Sequence, residues 1–204
     1  MIIFLILFLL ASPSHAQYLR ADYGSWIDSD FDCQNTRQEI LIRESIITPI
    51  LDQKGCKVIS GLWEDKYSGK SFTNPKDLDI DHFVPLAEVE RSGGNKWSIE
   101  KKHNYANDLK NRETLIAVSA SQNRAKGDKD ISEWLPENKN YHCNYVARWI
   151  LIKQIYQLTI DKKEQLAIDK ILNKCYYNKL IEKVPSTRLN TVSKKIGFIS
   201  TKRE

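Results

Sequence analysis

Long apolar runs are scarce in this chain of 204 residues. The one such run, residues 2–11, ends in Ser14-His15-Ala16, a small-x-small pattern typical of the cleavage site of a secretory signal peptide. No Lys or Arg precedes the run, but it is shorter than the roughly 20 apolar residues that a transmembrane helix needs. We therefore expect a signal peptide over residues 1–16, a secreted or periplasmic location, and no membrane attachment after cleavage.

Cysteine is also scarce, and no two cysteines are closely spaced. The absence of a C-x-x-C pair argues against a structural zinc site built from Cys33, Cys56, Cys143 and Cys175. In an oxidising compartment an even number of cysteines indicates disulfides, here two. Three connectivities are open, and we favour the sequential pairing, Cys33 with Cys56 and Cys143 with Cys175, because each bond then closes one local loop.

Neither sign of charge dominates, since the formal net charge is only +5. Most of that excess lies in residues 184–204, which have few large apolar residues, and we expect a basic, loosely ordered tail there. Residues 17–183 are enough for a single domain with a core. Within it, residues 91–129 carry nine Lys or Arg against four Asp or Glu. That local excess suits a phosphate-bearing substrate, although a solvated basic face explains it equally well.

The pattern of elements predicts an α+β fold. Residues 36–47 are expected to form a helix with Thr36 and Glu39 as its capping box, and residues 57–63 and 115–118 have the composition of strands. Ser119 or Ser121 can cap a short helix that ends near residue 126. Two further helices, residues 141–158 and about 161–175, are predicted to form a packing layer.

Residues 77–86 read D-L-D-I-D-H-F-V-P-L, and two kinds of site compete for this stretch. Asp77, Asp79, Asp81 and Glu88 fill positions 1, 3, 5 and 12 of an EF-hand calcium loop. His82 stands where that loop needs glycine, and Asn74-Pro75 interrupts any helix leading into it. A calcium-binding module therefore stays a minor alternative.

The second reading is a hydrolytic metal site. His82 can accept a proton from water at neutral pH, and a neighbouring carboxylate can hold a divalent metal against a phosphate. In a regular strand Asp81 and His82 would point to opposite faces, so a shared site requires the strand to end or bulge there. The helix after the second predicted strand carries Asn123, whose amide oxygen is a neutral hard ligand suited to Mg2+. Arg124 and Lys126 lie beside it and can contact a phosphodiester backbone.

Together these motifs resemble the secreted HNH endonuclease family related to the C-terminal domain of GmrSD-type restriction enzymes. The similarity runs from about residue 26 to residue 175. It is carried by D-H-F-V-P-L at 81–86, R-S-G at 91–93, Y-A-N-D-L at 105–109, A-V-S-A-S-Q-N-R-A-K-G-D-K-D at 117–130 and E-W-L-P at 133–136, with C-Q-N-T-R-Q-E-I-L at 33–41 and C-N-Y-V-A-R-W at 143–149 as flanking support.

The resemblance implies a ββα-metal core of the HNH, or His-Me finger, type with additional packing helices. It assigns His82 as the general base, and Asp81 and Asn123 as ligands of one divalent metal, Mg2+ before Mn2+. Arg91, Arg124 and Lys126 are our expected phosphate contacts. The implied activity is hydrolysis of phosphodiester bonds of DNA, with RNA as a further substrate, without sequence preference, leaving a 5′-phosphate and a 3′-hydroxyl.

One position departs from the family pattern. The middle residue of the HNH motif, which helps to hold the base, is a His or Asn, whereas this chain has Thr114 there. Thr114, or Asn111 from the preceding loop, is our expected substitute. The departure keeps a second hypothesis open, a nucleic-acid-binding protein of the same fold that has lost its activity. No obligate protein partner is evident, and we expect a monomer.

Overall fold

The computed structural model describes residues 18–175. The predicted signal peptide and the basic tail lie outside this range, as do both ends of the predicted domain. Within it the fold is α+β, as expected, with three two-stranded antiparallel sheets and six α-helices. None of the helices in the described range is long and apolar enough to cross a membrane.

The elements follow one another in short connections. The strands are β1 (Ile50–Leu51), β2 (Val58–Ser60), β3 (Trp63–Glu64), β4 (Ser71–Phe72), β5 (Leu78–His82) and β6 (Leu115–Ser119). The helices are α1 (Thr36–Glu44), α2 (Leu86–Arg91), α3 (Ile99–Ala106), α4 (Ala120–Lys126), α5 (His142–Ile155) and α6 (Lys162–Leu172).

The longest sheet pairs β5 with β6 and positions the candidate site. Its antiparallel register runs from Leu78 opposite Ser119 to His82 opposite Leu115. Because side chains alternate along a strand, Leu78 and Ile80 pack with Leu115 in one core cluster, below α1. Asp79 and Asp81 lie on the other face, which is covered by α4. An apolar-polar alternation thus places two carboxylates beneath a helix.

Helix α4 follows β6 without a loop. Ser119, the last residue of the strand, accepts a hydrogen bond from the backbone N–H of Gln122 and so caps the helix, as predicted. The helix ends at Gly127, which has a positive φ of 57°. This direct strand-to-helix junction directs both Asn123 and Lys126 back toward β5.

In the N-terminal half, one predicted helix and one predicted strand differ from those observed. Helix α1 is capped by Asn35 rather than Thr36, and it ends at Glu44 instead of residue 47. The strand predicted over residues 57–63 is split into β2 and β3. The two segments belong to different sheets, because β2 pairs with β1 and β3 pairs with β4. The Trp63 ring packs against Gly61 between them, where a Cβ atom would lie 2.5 Å from the ring.

The C-terminal helices form the expected packing layer, with α5 and α6 both shorter than predicted. Asp161 and Glu164 form a complete capping box at the start of α6. The larger core cluster is rich in aromatic residues from several elements, among them Tyr67, Phe83, Tyr105, Tyr145 and Trp149. The structure pairs Cys33 with Cys56 and Cys143 with Cys175, so both bonds close local loops.

Candidate functional site

A cleft of about 360 Å³ opens where β5 ends, between the start of α2 and helix α4. His82 and Asn123, predicted from distant parts of the sequence, both line it. Arg124 from α4 and Arg20 from the N-terminal segment add two cations, and Tyr18 adds an aromatic ring. A cleft that joins a histidine, an amide and two arginines can receive an anion next to a proton acceptor.

The orientation of His82 is fixed by a backbone carbonyl. Its Nε2 lies 3.0 Å from the carbonyl oxygen of Ala106, at the end of α3. Since a carbonyl only accepts hydrogen bonds, Nε2 carries the proton and Nδ1 keeps the lone pair in the neutral ring. No hydrogen bond among the described residues uses Nδ1, so this nitrogen is available to a ligand in the cleft.

Aromatic rings hold the imidazole on both sides. Trp26 stacks on His82 with ring centroids 5.2 Å apart and an interplanar angle of 12°, and Tyr105 lies at 6.2 Å. Burial among these rings lowers the pKa of His82 below its ordinary value, and the positive charges of Arg20 and Lys126 lower it further, whereas the hydrogen bond to Ala106 raises it. The net lowering keeps the imidazole neutral at pH 7 with its lone pair free, and it also makes the ring a weaker base than an ordinary histidine.

Asp81 has a different set of contacts from the one that was predicted. Lys126 Nζ lies 2.8 Å from its Oδ1 and 2.7 Å from its Oδ2, and the Tyr67 hydroxyl donates to Oδ2 at 2.7 Å. The side chain of Lys126 is fully buried and also donates to the carbonyl of His82. Both oxygens of Asp81, which lines the cleft with His82 and Asn123, are thus hydrogen-bonded in the structure, and the Lys126 ammonium is buried against them rather than exposed at the surface.

Asn123 faces a second carboxylate, the one on Asp79. Its amide nitrogen donates to Asp79 Oδ2 at 3.1 Å. Asp79 is only partly buried, and no ion pair in the described part of the chain neutralises it. In this contact the amide nitrogen, not the oxygen, faces the carboxylate, and only Asn123 of the two lines the cleft. With the amide turned over, its oxygen would lie beside the Asp79 carboxylate, and both are hard ligands of the kind that Mg2+ prefers.

Thr114 and Asn111, the expected base-orienting residues, do not reach His82. The Thr114 hydroxyl donates to Asp108 Oδ2 at 2.8 Å, and the Asn111 amide donates to the same oxygen at 2.9 Å. Thr114 is fully buried, and its carbonyl accepts the N–H of Phe83. These residues therefore organise the loop before β6, while the carbonyl of Ala106 holds the His82 imidazole.

The predicted phosphate contacts are also distributed differently. Arg124 lines the cleft, whereas Arg91 is paired with Glu88 at 2.9 Å and with Asp128 at 3.3 Å, at the edge of a neighbouring cavity. Arg20, Trp26 and the Ala106 carbonyl were missed. Ala106 lies in the Y-A-N-D-L motif at 105–109, but that motif does not indicate that its carbonyl contacts His82. Arg20 and Trp26 lie in none of the motifs and approach His82 only through tertiary packing.

The calcium loop considered for residues 77–88 does not form. Asp79 and Asp81 belong to a regular strand and bind Asn123 and Lys126. Glu88, its twelfth residue, is buried and paired with Lys153 at 2.6 Å. The carboxylates therefore do not converge on a common point.

Comparison with known proteins places this sequence in a family. The profile described as "GmrSD restriction endonucleases, C-terminal domain" matches residues 35–171, which include the cleft-lining residues of β5 and α4. An uncharacterized secreted protein of Arthroderma benhamiae is 37% identical over 158 residues, covering 78% of this chain and 76% of the relative. No solved structure matches. The chain belongs to the family of the C-terminal domain of GmrSD restriction endonucleases.

Proposed function

We propose that the protein is a divalent-metal-dependent endonuclease of the HNH type that hydrolyses phosphodiester bonds of DNA, with RNA as a further substrate. The family supports a nuclease-related function. The observation that carries the proposal is His82, a neutral imidazole held by Ala106 and facing a cleft that contains two arginines. In this proposal β5, β6 and α4 are the ββα core.

The chemistry assigned to His82 is general base catalysis. With Nε2–H donated to Ala106, the Nδ1 lone pair accepts a proton from water as the water oxygen attacks phosphorus. The bond from phosphorus to the 3′ oxygen breaks, and the leaving oxygen takes up a proton from solvent, which gives a 3′-hydroxyl and a 5′-phosphate. His82 then returns its proton to solvent. Trp26 and Tyr105 limit rotation of the ring, so the lone pair stays aimed at the cleft.

Arginines supply the charge that binds the substrate. Arg124 and Arg20 can each donate two parallel hydrogen bonds to phosphate oxygens. Asp79 and Asn123 are the residues that would hold the divalent cation, Mg2+ before Mn2+. When bound, such an ion neutralises negative charge on the phosphate and the leaving oxygen. Lys126 holds Asp81 in place beneath the strand and takes no direct part.

Cleavage of a supercoiled plasmid tests the proposal. The protein lacking residues 1–16, with both disulfides formed, should nick plasmid in Mg2+ or Mn2+ and not in EDTA. His82→Ala should lower nicking by about a hundredfold or more, whereas His103→Ala, an exposed histidine on α3, should leave it intact. If wild type and His82→Ala are equally inert across a metal panel while both are folded, the assignment is wrong.

The metal ligands are tested in the same assay. Asp79→Asn and Asn123→Ala should raise the Mg2+ concentration needed for half-maximal cleavage. Asp81→Asn should instead lower thermal stability, because it leaves the buried Lys126 ammonium without its counter-ion. If Asp81→Asn raises the Mg2+ concentration for half-maximal cleavage more than Asp79→Asn does, then Asp81 rather than Asp79 is the metal ligand.

A second candidate function is nucleic-acid binding without cleavage. The observation in its favour is the Asp81–Lys126 pair, which occupies the carboxylate that the family resemblance assigns to the metal. Tight, salt-dependent binding of DNA without nicking in any divalent metal would establish it.

We also propose that the protein acts outside the cytoplasm as a monomer. The relative from Arthroderma benhamiae is described as secreted, and the two disulfides suit an oxidising compartment. Detection of the protein in culture medium or periplasm, and a monomeric mass in solution, would test this.

A further inference from the structure

A second group of aspartates lies far along the chain from the strand aspartates (Asp77, Asp79 and Asp81). The loop aspartates, Asp28, Asp30 and Asp32, each place a carboxylate oxygen within 4.8 Å of the others. No Lys or Arg in the described range forms an ion pair with any of them. Three like charges at this separation repel one another, and an acidic cluster of this kind by itself does not define a site.

The carboxylate of Asp28 provides an independent indication of a ligand. Its Oδ2 accepts the N–H of Cys33 at 2.9 Å, whereas its Oδ1 exposes less than 1 Å² and has no hydrogen-bond partner. A buried carboxylate oxygen without a donor is costly, because it has lost water and gained nothing in return. A bound cation is the partner that satisfies such an oxygen next to two further carboxylates.

The backbone of this loop has the form that a cation loop needs. Residues 28–39 read D-S-D-F-D-C-Q-N-T-R-Q-E, with acids at positions 1, 3, 5 and 12. Position 6, where an EF-hand has glycine, is Cys33, and its φ of 72° is the left-handed conformation that this glycine provides. Glu39, at position 12, lies in the first turn of α1, outside the group of three carboxylates that lie within 4.8 Å of one another.

We propose that residues 28–39 form a calcium-binding loop, with the loop aspartates and Glu39 as carboxylate ligands. The geometry favours Ca2+ over Mg2+, because an open loop of several oxygens suits six to eight long bonds better than a strict octahedron. Its affinity belongs to the range of extracellular modules, with Kd on the order of 10⁻⁴ to 10⁻³ M. The site is separate from the cleft, and the proposal does not depend on nuclease activity.

Contacts connect this loop to the base. The backbone N–H of Ile27 donates to Asn107 Oδ1 at 3.0 Å, and the N–H of Thr36 donates to the carbonyl of Ile27 at 2.8 Å. Ile27 follows Trp26, which stacks on His82, and Asn107 follows Ala106, whose carbonyl holds it. Calcium would therefore order the segment that supports the imidazole from two sides.

Calorimetry and thermal unfolding of EDTA-stripped protein test the loop without nucleic acid. CaCl₂ at 10 mM should raise the Tm of wild type by about 3–6 °C for a Kd near 1 mM, and MgCl₂ should raise it less. Asp30→Asn, an exposed position with no side-chain hydrogen bond in the structure, should fold normally and weaken calcium binding roughly tenfold or more. Asp77→Asn is the matched control and should bind calcium like wild type.

Several results would overturn the proposal. One is wild-type protein that shows neither a heat of calcium binding nor a Tm shift on adding CaCl₂. Others are an Asp30→Asn variant that binds calcium as tightly as wild type, an Asp77→Asn variant that loses calcium binding, or a Tm shift with MgCl₂ as large as that with CaCl₂. His82→Ala should bind calcium as wild type does. A protein that binds calcium at this loop but never cleaves DNA would therefore refute the proposed nuclease function and leave the calcium loop intact.

Discussion

The strand aspartates and the loop aspartates share the spacing D-x-D-x-D, yet the fold uses them in opposite ways. In β5 the period of two places Asp79 and Asp81 on one face, where α4 supplies each with a partner, Asn123 or Lys126. Between residues 28 and 32 the chain leaves extended geometry, with a φ of 64° at Phe31. There the carboxylates converge and one oxygen is left without a donor.

The spacing of carboxylates in the sequence does not by itself predict whether they converge on a cation, because the backbone conformation decides where the side chains lie. An extended strand separates alternate side chains and lets neighbouring elements neutralise them one at a time. A curled loop brings the same side chains to one point, where only a shared cation can neutralise them. The next experiments ask whether the two stretches differ in function as they differ in geometry.

The largest expected effect is on catalysis, at His82 at the end of β5. His82→Ala should lower the nicking rate by about 10²- to 10⁴-fold, since general base catalysis contributes that much. The rate is measured under single-turnover conditions with plasmid and Mg2+. The Tm should stay within a few degrees of wild type, and a cleavage rate unchanged by the substitution would remove the strand stretch from the chemistry.

The next effect is on stability, through the buried ion pair below β5. Lys126→Met leaves the Asp81 carboxylate buried without a counter-ion, and we expect a loss of about 3–5 kcal/mol in the free energy of unfolding. Urea denaturation with intact disulfides measures it. The double variant Asp81→Leu/Lys126→Met should lose less than the single one, and strictly additive losses would contradict the coupling.

The disulfide next to the loop aspartates should have a slightly smaller effect. Replacing Cys33 and Cys56 by serine opens a loop with a sequence separation of 23 residues, which corresponds to about 3.5 kcal/mol of chain entropy. The Cys143→Ser/Cys175→Ser variant should lose a similar amount, because its loop is of similar length. Only the first variant should also weaken calcium binding in calorimetry, and equal calcium affinity in both would separate the disulfide from the loop.

The smallest expected effect concerns Asp77. Its side chain is exposed and makes no hydrogen bond in the structure, so Asp77→Ala should change the free energy of unfolding by less than about 0.5 kcal/mol. Urea denaturation measures the change. A loss of metal-dependent cleavage in this variant would show that all three strand aspartates act together, and would weaken the contrast with the loop.

The sequence predicted those parts of the fold that depend on local pattern. The α+β class, the β6–α4 junction capped by Ser119 and the paired helices α5 and α6 follow from alternation, capping residues and helical spacing. Helix α3 was not predicted, although its end supplies the carbonyl that holds His82. Its isolated sequence, I-E-K-K-H-N-Y-A, has only a short apolar stripe, and tertiary packing of Tyr105 stabilises it.

At the candidate site the sequence indicated which residues meet but not their partners. His82 and Asn123 both line the cleft, because a strand and the helix that follows its neighbour are close in any such unit. The ion pair of Asp81 could not be foreseen, since it depends on Lys126 being long enough to reach under β5. Arg20, at the start of a short 3-10 helix, and Trp26, from the loop after it, reach the site through tertiary packing, and no local pattern specifies such an approach.

The bond between Cys33 and Cys56 couples the redox state of the N-terminal segment to cation binding. Cys33 is the sixth residue of the loop and adopts its left-handed turn, so cross-linking fixes the conformation that a cation requires. If the disulfide raises the affinity for a cation, then by thermodynamic reciprocity a bound cation makes the disulfide harder to reduce, by the same free energy. Calcium-rich, oxidising surroundings would therefore favour both the disulfide and the cation-bound loop. A reducing, calcium-poor cytosol would favour neither the disulfide nor the bound cation.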